Sequence, residues 1–230
     1  GGEAAAGALG AAGGPVLLRD FLDEPDGERV KAYEMPSYAM LHSSLGEALL
    51  LDADNIAMLD PTPLFSSLPF VSTGSLFWPS VHGVTEENPM WQVVEHAPMW
   101  VVGTETGQIM VNRTRHWRAI ALAHYFNRYG PDFYWQYTLL DCNVWRFAWL
   151  ALRKEFYQAD TPVDALGYVS EGGTFCGHSK LQRHPLRPEA TLFAHADFRK
   201  FSQFRQDARQ TWTALKPGAA AAPPEEPVRG

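Results

Sequence analysis

The chain has 230 residues, of which 46% are hydrophobic and 20% charged, a composition typical of a globular protein with a sizeable core. The formal net charge of −7 and the lack of a basic stripe argue against a nucleic-acid partner. The two cysteines, Cys142 and Cys176, are too few for a disulfide framework, and no run of about 20 apolar residues predicts a membrane span.

The two ends of the chain differ in composition from its centre. Residues 1–28 begin with a Gly/Ala-rich stretch and residues 216–230 are rich in Ala and Pro, so both flanks are predicted to be disordered. The intervening residues 29–215 contain many aromatic side chains and no internal repeat. They are therefore predicted to form one continuous domain.

The predicted elements of this domain alternate between helices and strands. A helix begins at Met35-Pro36, and the apolar run Ala48–Leu51 predicts a strand buried on both faces, which is typical of a parallel sheet. The later predictions are a helix over Asn88–Val94, a strand over Gly107–Val111, helices over Arg113–Tyr129 and Asn143–Leu152, a strand over Thr191–His195 and a closing amphipathic helix over Asp197–Leu215. This alternation favours the α/β class.

Two aspartates, Asp52 and Asp54, follow directly after the first predicted strand. Alternate residues of an extended segment point to the same side, so the two carboxylates are expected to converge while Ala53 faces away. Carboxylate oxygens are suitable ligands for Mg²⁺ or Mn²⁺, especially where a diphosphate supplies further oxygens. A solvated turn capped by the two aspartates is the alternative interpretation of so short a motif.

Several longer motifs occur in order around and after the aspartate pair. They are LLLDADNIAMLDPTPLF from Leu49, TGSLFWPS from Thr73, NPMW from Asn88, ETGQIMVN from Glu105, RHWRAIALAHYFN from Arg115 and FCGHSKLQ from Phe175. Together they resemble the fungal α-mannosyltransferases of the α-1,3- and α-1,2-mannosyl type, and the resemblance covers roughly residues 31–200.

This resemblance implies a GT-A type fold, in which a mixed sheet is flanked by helices, and a metal-dependent enzyme with Mn²⁺ or Mg²⁺. It implies transfer of mannose from GDP-mannose to a mannosylated glycan or glycoprotein, with retention of the α-anomer. Such enzymes act in the Golgi lumen as type II membrane proteins, so an anchor is expected only in a longer form. Only about 50 residues precede Asp52, so the donor-binding half is expected to be incomplete at the N-terminus.

Two alternatives to this function remain open. One is a glycogenin-like transferase that keeps the fold and uses a UDP-sugar. The other is a non-catalytic mannosyltransferase-like domain that binds a glycan or a partner protein, since the family's Gly-Asp-Lys-Asp motif is Leu-Asp-Cys-Asn in this chain, beginning at Leu140.

The resemblance also implies a metal-binding set. Asp52 and Asp54 match the motif that binds the metal and the donor diphosphate. Phe193-Ala194-His195 followed by Lys200 resembles the late Phe-x-His-x-Asn-x-x-Lys element, in which the histidine is the third metal ligand. An imidazole nitrogen completes a mixed N/O set that Mn²⁺ accepts, and Lys200 is expected to place a charge near a phosphate.

The remaining candidates are assigned to catalysis and donor binding. Gly107 and Gln108 of the Glu-Thr-Gly-Gln motif, together with His178, are expected to contact the nucleotide sugar. Glu105 is expected to reach the reacting sugar or orient the acceptor hydroxyl. Asp141, the acid retained from the altered motif, is expected to line the active site and to cap the helix that follows it.

Overall fold

In the computed structural model, residues 19–24, 26–30, 32–196 and 212–219 are described. Two β-sheets and a set of surrounding helices make up this part of the chain. Its strands are β1 Glu47–Leu51, β2 Asn55–Ala57, β3 Ser75–Val84, β4 Val101–Asn112, β5 Tyr157–Gln158, β6 Asp164–Val169, β7 Phe175–His184, β8 Arg187–His195 and β9 Ala214–Lys216. Its α-helices are α1 Met35–His42, α2 Leu68–Thr73, α3 Met90–Val93, α4 Arg113–Arg128, α5 Trp135–Thr138 and α6 Val144–Ala151.

The first sheet has the strand order β1-β4-β3-β5, and only its short β3–β5 pair is parallel. The second sheet has the order β2-β8-β7-β6-β9 and is antiparallel throughout. The mixed α/β class is therefore confirmed. The expectation of a parallel sheet at Ala48–Leu51 is wrong, because β1 is an antiparallel edge strand with half-buried leucines. From β1 the chain passes to the second sheet instead of entering a crossover helix.

Most of the predicted helices and strands are present, with modest changes of their bounds. The structure confirms the helices at Met35, Asn88–Val94, Arg113–Tyr129 and Asn143–Leu152, and the strands at Gly107–Val111 and Thr191–His195. The end of the predicted closing helix is wrong, because Ala214–Lys216 forms strand β9 beside β6. The rest of that helix and Lys200 lie outside the described residues.

The predicted division into one domain and two flanks stays a prediction. Strand β9 includes Lys216, and the backbone N–H of Gly218 donates a 2.7 Å hydrogen bond to Asp164 Oδ1 in β6. None of the helices in the described part of the chain has the length and apolar character that a membrane span requires.

Residues of β3 face two hydrophobic cores in turn. Phe77 packs with the helices α4 and α6, in a core that includes Trp145, Trp149 and Ile120. Its neighbours Leu76 and Trp78 point the other way, into a core shared with Phe193 of the second sheet. The first sheet thus lies between a helical layer and the second sheet, and burial on both faces fixes its position.

Trp78 connects the two sheets directly. Its side chain is fully buried, its ring meets the Phe193 ring edge-on at 5.2 Å, and its Nε1–H donates a 3.1 Å hydrogen bond to the carbonyl of Arg183. The side-chain amide of Gln182 donates a second hydrogen bond between the sheets, to the carbonyl of Pro79 at 2.8 Å. These contacts hold β7 and β8 against β3, and so fix the end of β8 relative to β4.

Replacing Trp78 with alanine is expected to lower the free energy of unfolding by about 3–5 kcal/mol, because it leaves a cavity between the sheets and an unpaired carbonyl at Arg183. Urea unfolding followed by circular dichroism measures this change. The matched control is Trp117→Ala, since Trp117 is 56% exposed and its loss should change stability by less than about 0.5 kcal/mol. Equal losses in the two variants would contradict the assigned role of Trp78.

Candidate functional site

The segment after β1 crosses from the first sheet to the second. The backbone N–H of Asp52 donates to the carbonyl of Gly107 at 3.0 Å, which extends the pairing with β4 by one residue. A turn closed by Asn55 N–H and the carbonyl of Asp52 follows, and Asn55 then pairs with His195 at the start of β2. Asp52 and Asp54 therefore lie at the seam where the ends of β1 and β8 meet.

Three side chains converge at this seam, which we call the Asp-His cluster: Asp52, Asp54 and His195. His195 Nε2 lies 3.1 Å from Asp54 Oδ1 and 3.7 Å from Asp52 Oδ2. One ligand atom from each residue lies within 4.8 Å of the other two. Asp54 and His195 are buried, whereas Asp52 is half-buried. The sequence motif and the resemblance single out these three residues, and the structure brings them together.

Gly107 makes room for the imidazole of the cluster. A Cβ atom at this position would lie only 2.4 Å from His195 Nδ1, so any side chain would displace the ring. The backbone N–H of Gly107 also lies 3.3 Å from Glu105 Oε1. The glycine expected to contact the donor thus has a packing role beside His195 that only a residue without a side chain can fill.

Glu105 lies beneath the cluster and is only 2% exposed. Its Oε2 forms an ion pair with Lys180 Nζ at 2.7 Å, and its Oε1 lies 3.3 Å from His195 Nδ1. Burial by itself raises the pKa of this carboxyl, but the interactions with His195 and Lys180 outweigh it and lower the pKa to about 2. Glu105 is therefore ionised at neutral pH, and its charge favours a proton on His195 Nδ1.

Gln108 and Asn55 hold the aspartate segment against β4. The Asn55 side-chain amide donates to the carbonyl of Gly107 at 2.7 Å and to Gln108 Oε1 at 2.6 Å. Gln108 is fully buried, so its amide faces the protein interior at this seam. Asn55 was not among the site residues predicted from the sequence, although it directly follows the Asp-Ala-Asp motif.

Asp141 lies in the turn before α6, is half-buried, and is within electrostatic range of Asp52 and Glu105. Burial raises the pKa of Asp141 to about 7, with further contributions from the charges of Asp52 and Glu105. The expectation that Asp141 caps the helix is wrong, because Asn143 is the N-cap residue and its Oδ1 accepts from the backbone N–H of Thr104. The preceding Leu139 and Leu140 both have positive φ, at 56° and 57°, a strained conformation for leucine.

His178 and Lys180 are two residues apart on β7. His178 sits at a register shift, is buried, and makes its polar contact with Ser179 Oγ at 3.1 Å in the described part of the chain. Lys180 pairs in register with His195 and reaches Glu105. Sequence reasoning named His178 and missed Lys180, because only the β7–β8 hairpin shows which residue faces the cluster.

The fold and this site define a mixed α/β domain with a candidate site for a divalent cation. Residues 14–95 and 84–184 match the model of the family described as "Mannosyltransferase putative". Since this match covers more than half of the chain, the chain belongs to that mannosyltransferase family.

Curated relatives are fungal enzymes, which confirms the resemblance to fungal α-mannosyltransferases. Alpha-1,2-mannosyltransferase MNN23 of Candida albicans is 25% identical over 219 residues, which cover 74% of this chain and 36% of the relative. Alpha-1,2-mannosyltransferase MNN2 of Saccharomyces cerevisiae is 27% identical over 214 residues, and the match covers 73% of this chain and 35% of the relative. The chain thus spans about a third of the length of these two relatives.

Replacing Asp141 with asparagine is expected to change how stability depends on pH. The pKa of Asp141 in the folded protein, about 7, lies above the ordinary value of 3.8, so the folded state holds this proton more tightly than the unfolded state. The wild type should therefore lose stability relative to Asp141→Asn as the pH rises from about 4 to about 7. Urea unfolding of the metal-free protein at several pH values measures this difference.

The control for that experiment is Asp132→Asn, which removes an exposed carboxylate from the preceding segment. Its stability should run parallel to that of the wild type across the same pH range. A constant difference between the wild type and Asp141→Asn from pH 4 to pH 8 would contradict the raised pKa.

Proposed function

We propose that this chain is part of an α-mannosyltransferase that transfers mannose from GDP-mannose to a mannosylated glycan or glycoprotein. The observation that carries the proposal is the convergence of Asp52, Asp54 and His195 at one seam. The family match and the alpha-1,2-mannosyltransferase relatives support the reaction class. A GT-A type topology, retention of the α-anomer and a Golgi-lumen, type II membrane location of the full-length protein belong to the same proposal.

The chemistry of the Asp-His cluster fits Mn²⁺, with Mg²⁺ as the alternative. Asp52 and Asp54 offer hard carboxylate oxygens and His195 offers an imidazole nitrogen, a mixed set that Mn²⁺ accepts more readily than Mg²⁺ does. Asp52 is half-buried, so the cluster has an open side toward a ligand. A cation held there would act as a Lewis acid on the negative charge that develops on the leaving nucleoside diphosphate.

Within this proposal Glu105 positions His195 and does not touch the sugar. Its carboxylate is buried and engaged by Lys180 and His195, which leaves it no exposed oxygen for a substrate. The Glu105 carboxylate lies on the Nδ1 side of the ring, so Nε2 is the His195 nitrogen that faces the two aspartates and would bind a cation. His195 and Lys180 together keep Glu105 ionised, because their interactions with its carboxylate outweigh the cost of burying it.

Asp141 is the residue we assign to proton transfer. A carboxyl with a pKa of about 7 holds or releases a proton near neutral pH, which is the property of an efficient general base. The charge of Asp52 contributes to this raised pKa, so Asp141 lies within electrostatic range of the proposed metal site. Asp141 and Glu105 therefore receive different roles, since their surroundings shift the two pKa values in opposite directions.

The transfer assay tests the proposal on the full-length protein that contains this chain. With Mn²⁺, GDP-mannose and an α-mannoside acceptor, the wild type should give a product longer by one mannose. Asp54→Asn should reduce the rate by about 100-fold or more, because it removes a charged ligand of the cation that would stabilise the leaving diphosphate. The matched control is Asp60→Asn, which changes an exposed aspartate of the same segment outside the Asp-His cluster and should retain full activity.

Three outcomes would contradict the proposal. Unchanged transfer in Asp54→Asn would show that the cluster does not act in the reaction. Transfer from a UDP-sugar in preference to GDP-mannose would support the glycogenin-like alternative. Absence of transfer from every nucleotide sugar, together with no metal-dependent binding of GDP by calorimetry, would support the non-catalytic alternative.

A further inference from the structure

A pocket separate from the Asp-His cluster lies beside β3 and β4, where residues 79–81 and 101–102 line it. We call it the Arg146 pocket, and its volume is about 690 Å³, within the range of small-molecule sites. Its walls include Ser80, Val101, Arg146, Gln158, Asp160 and Thr161. None of these residues belongs to the set proposed for catalysis or metal binding. On β4, the pocket residue nearest in sequence to Glu105 is Val102, three positions earlier.

Arg146 brings a buried positive charge to this pocket. Its side chain lies on α6, and the residue is only 7% exposed. Its Nη2 group donates to the carbonyl of Val102 at 2.7 Å and to Gln158 Oε1. In the part of the chain that the structure describes, its Nε–H has no acceptor and no carboxylate forms an ion pair with it.

The contacts of Arg146 are those of a cation without a counter-charge. Both of its acceptors are neutral oxygens, and the Phe156 ring below it, 5.3 Å from the guanidinium carbon, is also neutral. Burial lowers the pKa of Arg146 to about 10, and among the described residues no acidic group contributes in the opposite direction. Buried charges in proteins are normally paired, so this guanidinium favours the arrival of an anion.

Two neighbouring side chains complete the polar wall of the pocket. Thr161 is 6% exposed, and its hydroxyl has no partner among the described residues. Gln158 is fixed by its own amide, which donates to the carbonyls of Val102 and Gly103, so its oxygen stays directed at Arg146. The acidic group among the lining residues, Asp160, is exposed, and its charge is therefore screened by solvent.

We propose that the Arg146 pocket binds an oxyanion, a phosphate or carboxylate group of a small ligand, through the guanidinium of Arg146 and the hydroxyl of Thr161. A guanidinium offers planar pairs of N–H donors that match both kinds of group. The Asp-His cluster has the opposite preference, because its carboxylates attract cations. The two proposed sites thus have opposite charge preferences, and β4 passes both of them, at Val102 and at Gly107.

Thermal unfolding in the absence of divalent cations tests this proposal, since the Asp-His cluster then has no metal to attract phosphate. Inorganic phosphate is the first probe and acetate the second, each compared with sodium chloride at equal ionic strength. One of the two should raise the midpoint temperature by about 3 °C at millimolar concentrations, and the arm that does so identifies the oxyanion.

Arg146→Gln should weaken the apparent affinity for that anion by about tenfold or more, because it removes the charge and keeps a hydrogen-bond donor. The matched control, Arg118→Gln, removes the same charge from an exposed position and should respond as the wild type does. If Arg146→Gln does not fold, Thr161→Val provides the second test, since it keeps the side-chain shape and should also weaken binding.

The proposal is overturned if neither anion stabilises the wild type beyond chloride. It is also overturned if the anion stabilises Arg146→Gln, or Thr161→Val where that variant replaces it, as strongly as the wild type. Both results are independent of mannose transfer, so they leave the proposed function unaffected.

Discussion

The contact between His195 Nε2 and Asp54 Oδ1, at 3.1 Å, joins the two sheets at the point on which the candidate site depends. It exists because the chain leaves β1 at an edge of the first sheet and continues as β2 at an edge of the second. The backbone repeats the same connection, since Ala196 N–H donates to the carbonyl of Asp54 at 2.9 Å. A short polar segment therefore sets the distance between groups that lie 141 residues apart in sequence.

Two carboxyl groups near the Asp-His cluster differ widely in pKa because their surroundings differ. Glu105 and Asp141 are both carboxyls near the cluster, yet the pKa of the first is about 2 and that of the second about 7. The difference arises because His195 and Lys180 offset the burial of Glu105, whereas burial raises the pKa of Asp141 and the charges of Asp52 and Glu105 add to that effect. One carboxylate thus stays ionised and holds a ring in place, while the other exchanges a proton near neutral pH.

The helices of this fold could be predicted from the sequence because their signals are local. Arg113–Arg128 has helical spacing of its apolar residues, with Asn112 as its cap. Sheet pairing could not be predicted, since β1 pairs with a strand about 60 residues away and the β7–β8 hairpin buries polar residues such as His178 and Gln182, which hides the strand pattern. The aspartates and His195 were found through motifs, but Lys180 was not, because its role depends on strand register.

Pulsed electron paramagnetic resonance of the Mn²⁺-loaded protein tests most directly whether the two aspartates and His195 form one metal site. Our account predicts a hyperfine coupling from a single directly bound imidazole nitrogen. In His195→Gln this coupling should be lost, while Mn²⁺ still binds when its concentration is raised. A spectrum without nitrogen coupling, or one whose coupling persists in His195→Gln, would contradict the account.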